Sequence, residues 1–254
     1  MLVHKAYITV SRNILIKEVH AYLVRKSLAD SVKKRKEEGL NPVIAEIKVF
    51  SPKYGDLLRG RSIFQILKIY ESCGVSGISY ITEKKHFRGD FEVFREICRE
   101  ASLPVLRKDF VTSKEEIEKT AEAEASAILL IASILREKTA EFVDYSHEHG
   151  LETVVEVHRI EDVNVANQTK SDFVGINNRD IFLLEKDDGS VEVTKRLAKF
   201  VKSSFLKISE SGIRDVEDLK VALSFCDAAL VGTAFMLAEN LEEVVRKFVG
   251  VGYA

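Results

Sequence analysis

The chain has 254 residues, 46% hydrophobic and 31% charged, with 38 Lys and Arg against 40 Asp and Glu and a formal net charge of −2. That length suits one large core, and a closed parallel barrel commonly reaches this size as a single domain. The balanced charge excludes a strong field drawing in nucleic acid or an anionic membrane surface, so any anion must be bound locally.

Residues 1 to about 41 mix Ile, Leu and Val with many Lys and Arg, and they read as an extension placed before the first strand. Within it Ser27 to Glu38 is expected to be helical, capped by Ser27 and stopped by Gly39. Its charge run, Lys33-Lys34-Arg35-Lys36-Glu37-Glu38, reads as a solvated helix face. From Pro42 onward short β-branched apolar runs alternate with helical periodicity, the signature of repeated βα units. The spacing predicts strands over Val43 to Lys48, Gly77 to Thr82, Val105 to Asp109, Ala127 to Ile131, Thr153 to Val157, Phe173 to Asn177, Leu206 to Ser209 and Ala228 to Val231. Helices are expected over Ser62 to Cys73, Phe91 to Ala101, Ser113 to Ala123, Arg136 to His149, Ile160 to Gln168, Val191 to Lys202, Val216 to Leu223 and Leu241 to Val249. Eight of each imply an α/β fold, a (β/α)8 TIM barrel with an extra N-terminal helical segment, spanning residues 1–254 as one domain with 1–41 before the first strand. An open dinucleotide-binding sheet is disfavoured, because no G-x-G-x-x-G follows the first strand.

In such a barrel reactive groups sit at the carboxyl ends of the strands. The first strand carries Glu46 and Lys48 inside an apolar run, and residues two apart share a strand face. They are either a structural ion pair or an acid and a base held side by side. Arg107-Lys108-Asp109-Phe110 ends the third strand, Glu156 lies near the end of the fifth, Asn177-Asn178-Arg179-Asp180 follows the sixth, and Ser209-Glu210-Ser211-Gly212 the seventh. So many opposite charges around one rim would be a large desolvation burden for stability alone, and together they point to a catalytic site. Small residues at Ser211-Gly212 and Gly232-Thr233-Ala234, ahead of a short helical stretch from Ala234 to Ala238, suit a phosphate group. By alternation Arg107 should face the helix layer, against Asp109.

The ordered motifs IAEIK-x-x-SP-x-x-G (Ile44 to Gly55), TE-x-x-x-F-x-G (Thr82 to Gly89), RKDF (Arg107 to Phe110), VEV (Val155 to Val157), GINNRD (Gly175 to Asp180), SESGI (Ser209 to Ile213) and ALVGTAFM (Ala229 to Met236) resemble the indole-3-glycerol phosphate synthase family. The resemblance implies a carboxy-lyase of tryptophan biosynthesis, closing the pyrrole ring of 1-(2-carboxyphenylamino)-1-deoxyribulose 5-phosphate with loss of carbon dioxide and water. No metal or organic cofactor is implied. By motif Lys108 corresponds to the acid of ring closure, and Glu156 to the partner that steadies developing positive charge or takes up a proton. Lys48 and Glu46 correspond to groups serving dehydration and orienting the substrate. Asn177, Glu210 and Ser211 match positions holding substrate hydroxyls and supporting charges. The phosphate is implied near Gly212, Gly232 and Thr233, within reach of Lys48 or Ser51. The aromatic slot is implied at Pro52, Phe87, Phe110, Leu129 and Ile181, with Arg179 pairing the departing carboxylate. The first segment contains no tryptophan, so an aromatic lid would come from Tyr7 or Tyr22. A rival barrel, the isomerase acting one step earlier in the pathway, should lack the lysines on the first and third strands.

The remaining signals are bland. Cys73, Cys98 and Cys226 are widely spaced without a C-x-x-C, which argues against a disulfide framework or zinc site and fits a reducing cytosol. No apolar run approaches the roughly 20 residues that span a bilayer. With no secretory apolar region near His4, Lys5, Arg12 and Lys17, a cytoplasmic protein is expected. His147 and His149 are two apart on a helix and make a poor metal pair. His158 reads as a solvated loop residue. Nothing sets the oligomeric state, and a monomer is the default.

Overall fold

The computed structural model describes residues 26–179 and 189–250. Its eight parallel strands are β1 (Val43–Ile47), β2 (Gly77–Ile81), β3 (Val105–Lys108), β4 (Ala127–Ile131), β5 (Glu152–Val157), β6 (Phe173–Asn177), β7 (Leu206–Glu210) and β8 (Ala228–Val231). Each pairs with the next, and β8 closes on β1 through the register Val43 to Ala229 and Ala45 to Val231. All eight expected strands are present, each end within one residue of the expected one. The strands read clearly because parallel strands between barrel interior and helix shell are buried on both faces and so become near-continuous apolar runs.

The helices return over the outside and start where capping side chains allow. Ser62 and Gln65 form a reciprocal capping box before Ile63–Ser72. Asp90 accepts the backbone N–H groups of Glu92 and Val93 before Phe91–Glu100. Val216–Leu223 and Leu241–Val249 match expectation. Others are shorter or broken. The helix expected from Arg136 opens as a 3₁₀ turn, Arg136–Lys138, before Thr139–Glu148, and the one expected from Val191 runs Glu192–Leu197 and then tightens to 3₁₀ over Ala198–Phe200. The helix from Ile160 ends at Ala166. Three small elements were not anticipated: a hairpin pairing Phe50–Ser51 with Gly55–Asp56, and single helical turns at Lys84–Phe87 and Ala132–Leu135. Each is too short to show periodicity.

One apolar cluster fills the space between barrel and helices, and a second fills the barrel itself. The inner cluster includes Ile44, Leu106, Leu129, Val154, Phe173, Ile208 and Leu230, together with Leu28 and Val32 of the N-terminal helix Leu28–Glu37. That helix closes the amino-end mouth of the barrel. Leu28 fits because Gly77 lacks a side chain: a Cβ there would lie 2.6 Å from Leu28 Cδ1. Ser27 caps the helix as expected, and Glu152 at the start of β5 accepts from Leu28 N (2.6 Å) and from Ser27 Oγ (2.6 Å). The charged stretch after Val32 is mostly exposed. Residues 1–25, and with them Tyr7 and Tyr22, lie outside the described residues. Among the described residues no helix is long and apolar enough to cross a membrane, and Cys73, Cys98 and Cys226 are buried and free.

Leu28 is fully buried in the barrel interior, at the opposite end from the charged rim. Leu28→Ala is therefore expected to destabilise the fold by about 2–5 kcal/mol, the range for a buried leucine whose cavity collapses only partly. Urea unfolding should show the loss with little change in slope. A stability unchanged within error would remove this helix from the barrel's core.

Candidate active site

The inward-facing positions of the strands are apolar toward the amino ends and polar one step further on. Ile44 gives way to Glu46 and then Lys48, Leu106 to Lys108, Val154 to Glu156, Gly175 to Asn177, and Ile208 to Glu210. The period-two alternation of a strand thus stacks one polar layer on one apolar layer. Glu46, Lys48, Glu156 and Glu210 are buried, and Lys108, its side chain 16% exposed, is partly so.

Lys108 is the hub. Its Nζ donates a short hydrogen bond to Glu210 Oε2 and lies 3.4 Å from Glu156 Oε2. Burial favours the neutral amine, but Glu210, Glu156 and Glu46 outweigh it and hold the ammonium well above an ordinary lysine pKa. Burial also raises Glu156, yet Lys108 and His158 prevail and keep its carboxyl well below the usual range. Glu210 goes the other way: burial, aided by Glu156 and Glu46, exceeds the help from Lys108 and lifts its pKa. Each carboxylate has one buried oxygen with no hydrogen-bond donor among the described residues, Glu210 Oε1 and Glu156 Oε2, but Glu156 also has His158 Nε2 3.2 Å from its other oxygen, whereas Glu210 Oε1 is lodged where a Cβ on Gly175 would sit, 2.0 Å away. Gly232 likewise leaves room for Glu46, whose Oε1 would be 2.5 Å from an added Cβ.

On β1 the expected neighbours meet: Lys48 Nζ lies 3.6 Å from Glu46 Oε1 and donates to Thr233 Oγ1 at 3.0 Å. Two joined cavities open above this layer. The first encloses about 610 Å³ of empty space, part of it open to solvent, and is lined by Glu46, Phe87, Lys108, Phe110, Leu129, Glu156, Asn177, Arg179 and Ser211. The second, about 1180 Å³ on the same measure, carries Lys48, Ser211, Gly212, Gly232 and Thr233. Glu46, Arg179 and Ser211 border both. Of the remaining sequence candidates, Ser51 and Pro52 line neither cavity. Ser51 is fully buried in the Phe50–Asp56 hairpin, where its Oγ accepts from Lys53 N at 3.2 Å. Ile181 and Asp180 lie outside the described residues.

Several supporting residues escaped the sequence reading. Glu83 accepts the N–H groups of Lys85, His86 and Phe87, nucleating the single turn that brings Phe87 to the cavity. Arg88 stacks on Phe50 at 3.9 Å and ties that turn to the hairpin. Asn178 Nδ2 donates to Ser209 Oγ, Glu210 O and Ser211 O, joining the ends of β6 and β7. Arg107 faces the helix layer as expected. It donates to Thr82 Oγ1, Thr120 Oγ1 and Glu116 O, and lies 3.1 Å from Asp109, bracing the strand that carries Lys108. His158 departs from expectation. It is a partly buried rim residue, its side chain 13% exposed, with Nε2 3.2 Å from Glu156 Oε1. The period-two count from Glu156 already placed it inward. His147 and His149 have separate partners, Asp172 Oδ2 and Tyr145 O, and among the described residues no group of side chains could hold a metal.

A raised carboxyl pKa means that the folded state binds a proton the unfolded state has released, so this contribution to stability is lost as pH rises through the folded value. Glu210→Gln mimics the protonated acid and lacks that loss. The variant's stability relative to wild type should therefore grow between about pH 5 and pH 8, by on the order of 1–3 kcal/mol. Thermal unfolding of both proteins across that range tests this. A pH-independent difference would show that Glu210 has an ordinary pKa.

The sequence profile of the family described as indole-3-glycerol phosphate synthase matches residues 5–248. The chain is 59% identical over 209 residues to a protein of that name from Pyrococcus abyssi, covering 82% of this chain and 91% of the relative. To its namesake in Pyrococcus furiosus it is 58% identical over 222 residues, covering 87% and 96%. Among solved structures, a chain from the Pyrococcus furiosus tryptophan synthase α2β2 complex superposes with a TM-score of 0.62 at 15% identity, over 83% of this chain and 98% of that one. At that identity the likeness speaks to the barrel alone. The profile, the identities and a closed eight-stranded barrel with the family's motifs at its carboxyl-end rim agree: the chain belongs to the indole-3-glycerol phosphate synthase family.

Proposed function

We propose that the chain converts 1-(2-carboxyphenylamino)-1-deoxyribulose 5-phosphate to indole-3-glycerol phosphate, with Lys108 as the acid of ring closure. The observation that supports the reading is the Lys108 ammonium, held between Glu156 and Glu210 at a cavity whose apolar walls are Phe87, Phe110, Leu129, Ile81 and Ile131 and whose polar lining includes Glu46, Asn177, Arg179 and Ser211. Ring closure needs an aryl carbon to attack a ketone, and the ketone oxygen must gain a proton as it does so. A lysine kept charged by buried carboxylates always carries that proton. The flat apolar walls suit the aryl ring, and Arg179 at the junction of the cavities offers a fork to its carboxylate.

Attack leaves positive charge on the arylamine. The ionised Glu156 stabilises it until carbon dioxide departs and the ring regains aromaticity. Loss of the remaining hydroxyl needs a proton donated to the leaving oxygen and another removed next to nitrogen. Lys48 and Glu46 serve this step, with Asn177, Glu210 and Ser211 holding substrate hydroxyls and charges. The phosphate occupies the second cavity, near Gly212, Gly232 and Thr233 and within reach of Lys48. Ring closure and dehydration are thus served by proton transfer with this chain's own side chains, while carbon dioxide leaves as its bonding electrons return to the ring.

Lys108→Ala should lower turnover by about 10³-fold or more while a phosphorylated product analogue still binds within about tenfold of wild type. The purified protein, given the substrate and followed by indole fluorescence, provides the measurement. Turnover at the wild-type rate in this variant would refute the assignment.

A further inference from the structure

We propose that His158 is a positioning residue for Glu156: its imidazole holds Oε1, so that Oε2 is turned toward Lys108 and the reacting centre. The inference rests on the role given to Glu156 above and adds the residue that follows the Val155 to Val157 motif. Glu156 Oε2 lies 3.4 Å from Lys108 Nζ and its Oε1 3.2 Å from His158 Nε2, so the two oxygens face different basic groups at ion-pair distance, with no aligned hydrogen bond to Oε2 or to either ring nitrogen among the described residues. The carboxylate is 1% exposed and the imidazole 13%, so neither competes with bulk water for its partner.

His158 is itself anchored. Its backbone N–H donates to Asp162 Oδ2 at 3.0 Å, and its Nδ1 lies 3.9 Å from the same oxygen. Asp162 is buried in the first turn of helix Ile160–Ala166, and Arg159 Nε approaches its other oxygen at 3.6 Å. The groups therefore alternate in charge from the helix to the far side of the barrel: Asp162, His158, Glu156, Lys108, Glu210. The charged groups facing the imidazole are Glu156 on β5, Asp162 on the helix and Glu210 on β7. Burial alone would favour the neutral ring, but those three carboxylates outweigh it and raise its pKa above that of an ordinary histidine. An imidazolium in this place fixes the Glu156 rotamer and keeps that carboxylate ionised while positive charge develops on the substrate. Neutral imidazole does the first weakly and the second not at all.

The test compares wild type, His158→Gln, Glu156→Gln and the double variant as intact chains, with kcat and KM measured across pH by indole fluorescence. His158→Gln should lower kcat about tenfold or more, in the range for outer-shell partners of a catalytic group, with KM changed less than about threefold. The double variant should be no slower than Glu156→Gln alone, because the histidine acts only through that carboxylate. The alkaline fall in wild-type kcat that follows His158 deprotonation should be missing in His158→Gln. A kcat within twofold of wild type at every pH, or an equal fractional loss in both backgrounds, overturns the proposal. An NMR titration of His158 is independent of turnover and of how well the histidine variants fold. Its midpoint should fall by about one pH unit or more in Glu156→Gln, and an unmoved midpoint also overturns the proposal. Should Glu156→Gln turn over like wild type, the assignment of Glu156 fails and this inference with it. A slow Glu156→Gln beside a normal His158→Gln defeats the histidine alone.

Discussion

The structure depends on one arrangement: ammonium groups and carboxylates placed alternately in a space nearly closed to water. Removing ions from water costs several kcal/mol each even after relaxation, and only their mutual attraction returns it. Lys108 pairs with Glu156 and Glu210 at once, and Lys48 with Glu46. The account is incomplete at Glu156 Oε2 and Glu210 Oε1, which have no hydrogen-bond donor among the described residues, and the latter lies over a glycine that yields its side-chain space. A fold selected for stability alone would fill these positions with the leucines and isoleucines found one layer below. The charges remain because the chemistry proposed here requires an acid that stays charged and a base that stays dry.

The rest of the barrel holds that arrangement in register. Inward positions change from apolar to polar in a single step along five of the strands, to a charge on four of them and to Asn177 on the fifth, so the polar layer rests on a packed floor rather than on loops. Behind β3, Arg107 crosses to the helix Lys114–Glu122 and engages Thr120 and the backbone of Glu116. Between β6 and β7, the Asn178 amide bonds three oxygens of the neighbouring strand end. Ser211 then turns the chain at φ 64°, a left-handed conformation that is unfavourable for a residue with a side chain, and Gly212 follows at φ 69°. Two successive left-handed residues bend the chain sharply as it leaves β7 and put Ser211 on the wall shared by both cavities.

Much of this was legible in the sequence for a plain physical reason. A charge inside an apolar run is rare, and strand alternation fixes the face on which it appears, so Glu46, Lys48, Lys108 and Glu156 could be aimed at one rim before any coordinates. What stayed hidden depended on contacts between distant segments. The Glu83 cap and the Arg88–Phe50 stack serve elements of two to four residues, too short to carry a period. The 3₁₀ turns that open the helix at Arg136 and end the one at Ala198 are local departures, whereas the sequence shows only the overall helical pattern. Ser51 and Pro52 sit within a hairpin that the sequence reading treated as open loop. His158 was visible by parity, two residues after Glu156, but a histidine just past a strand end resembles any solvated loop residue until the burial of its partner is known.

The two cavities differ in character, and the difference orients a ligand. The first sets aromatic and aliphatic walls around Lys108, Arg179 and their carboxylates, while the second sets small residues and the hydroxyls of Ser211 and Thr233 beside Lys48, Arg179 and Arg214. A molecule with a flat apolar end and an anionic end loses solvation in one direction and gains it in the other, so a reversed pose would bury its phosphate against Phe87 and Leu129. In the proposed pose Glu46 and Ser211, shared by both spaces, meet the middle of the ligand, where its hydroxyls lie, and Arg179 meets its carboxylate. The reacting atoms would then lie above Lys108 and Glu156, so that binding would already select the carbon to be attacked before any proton moves.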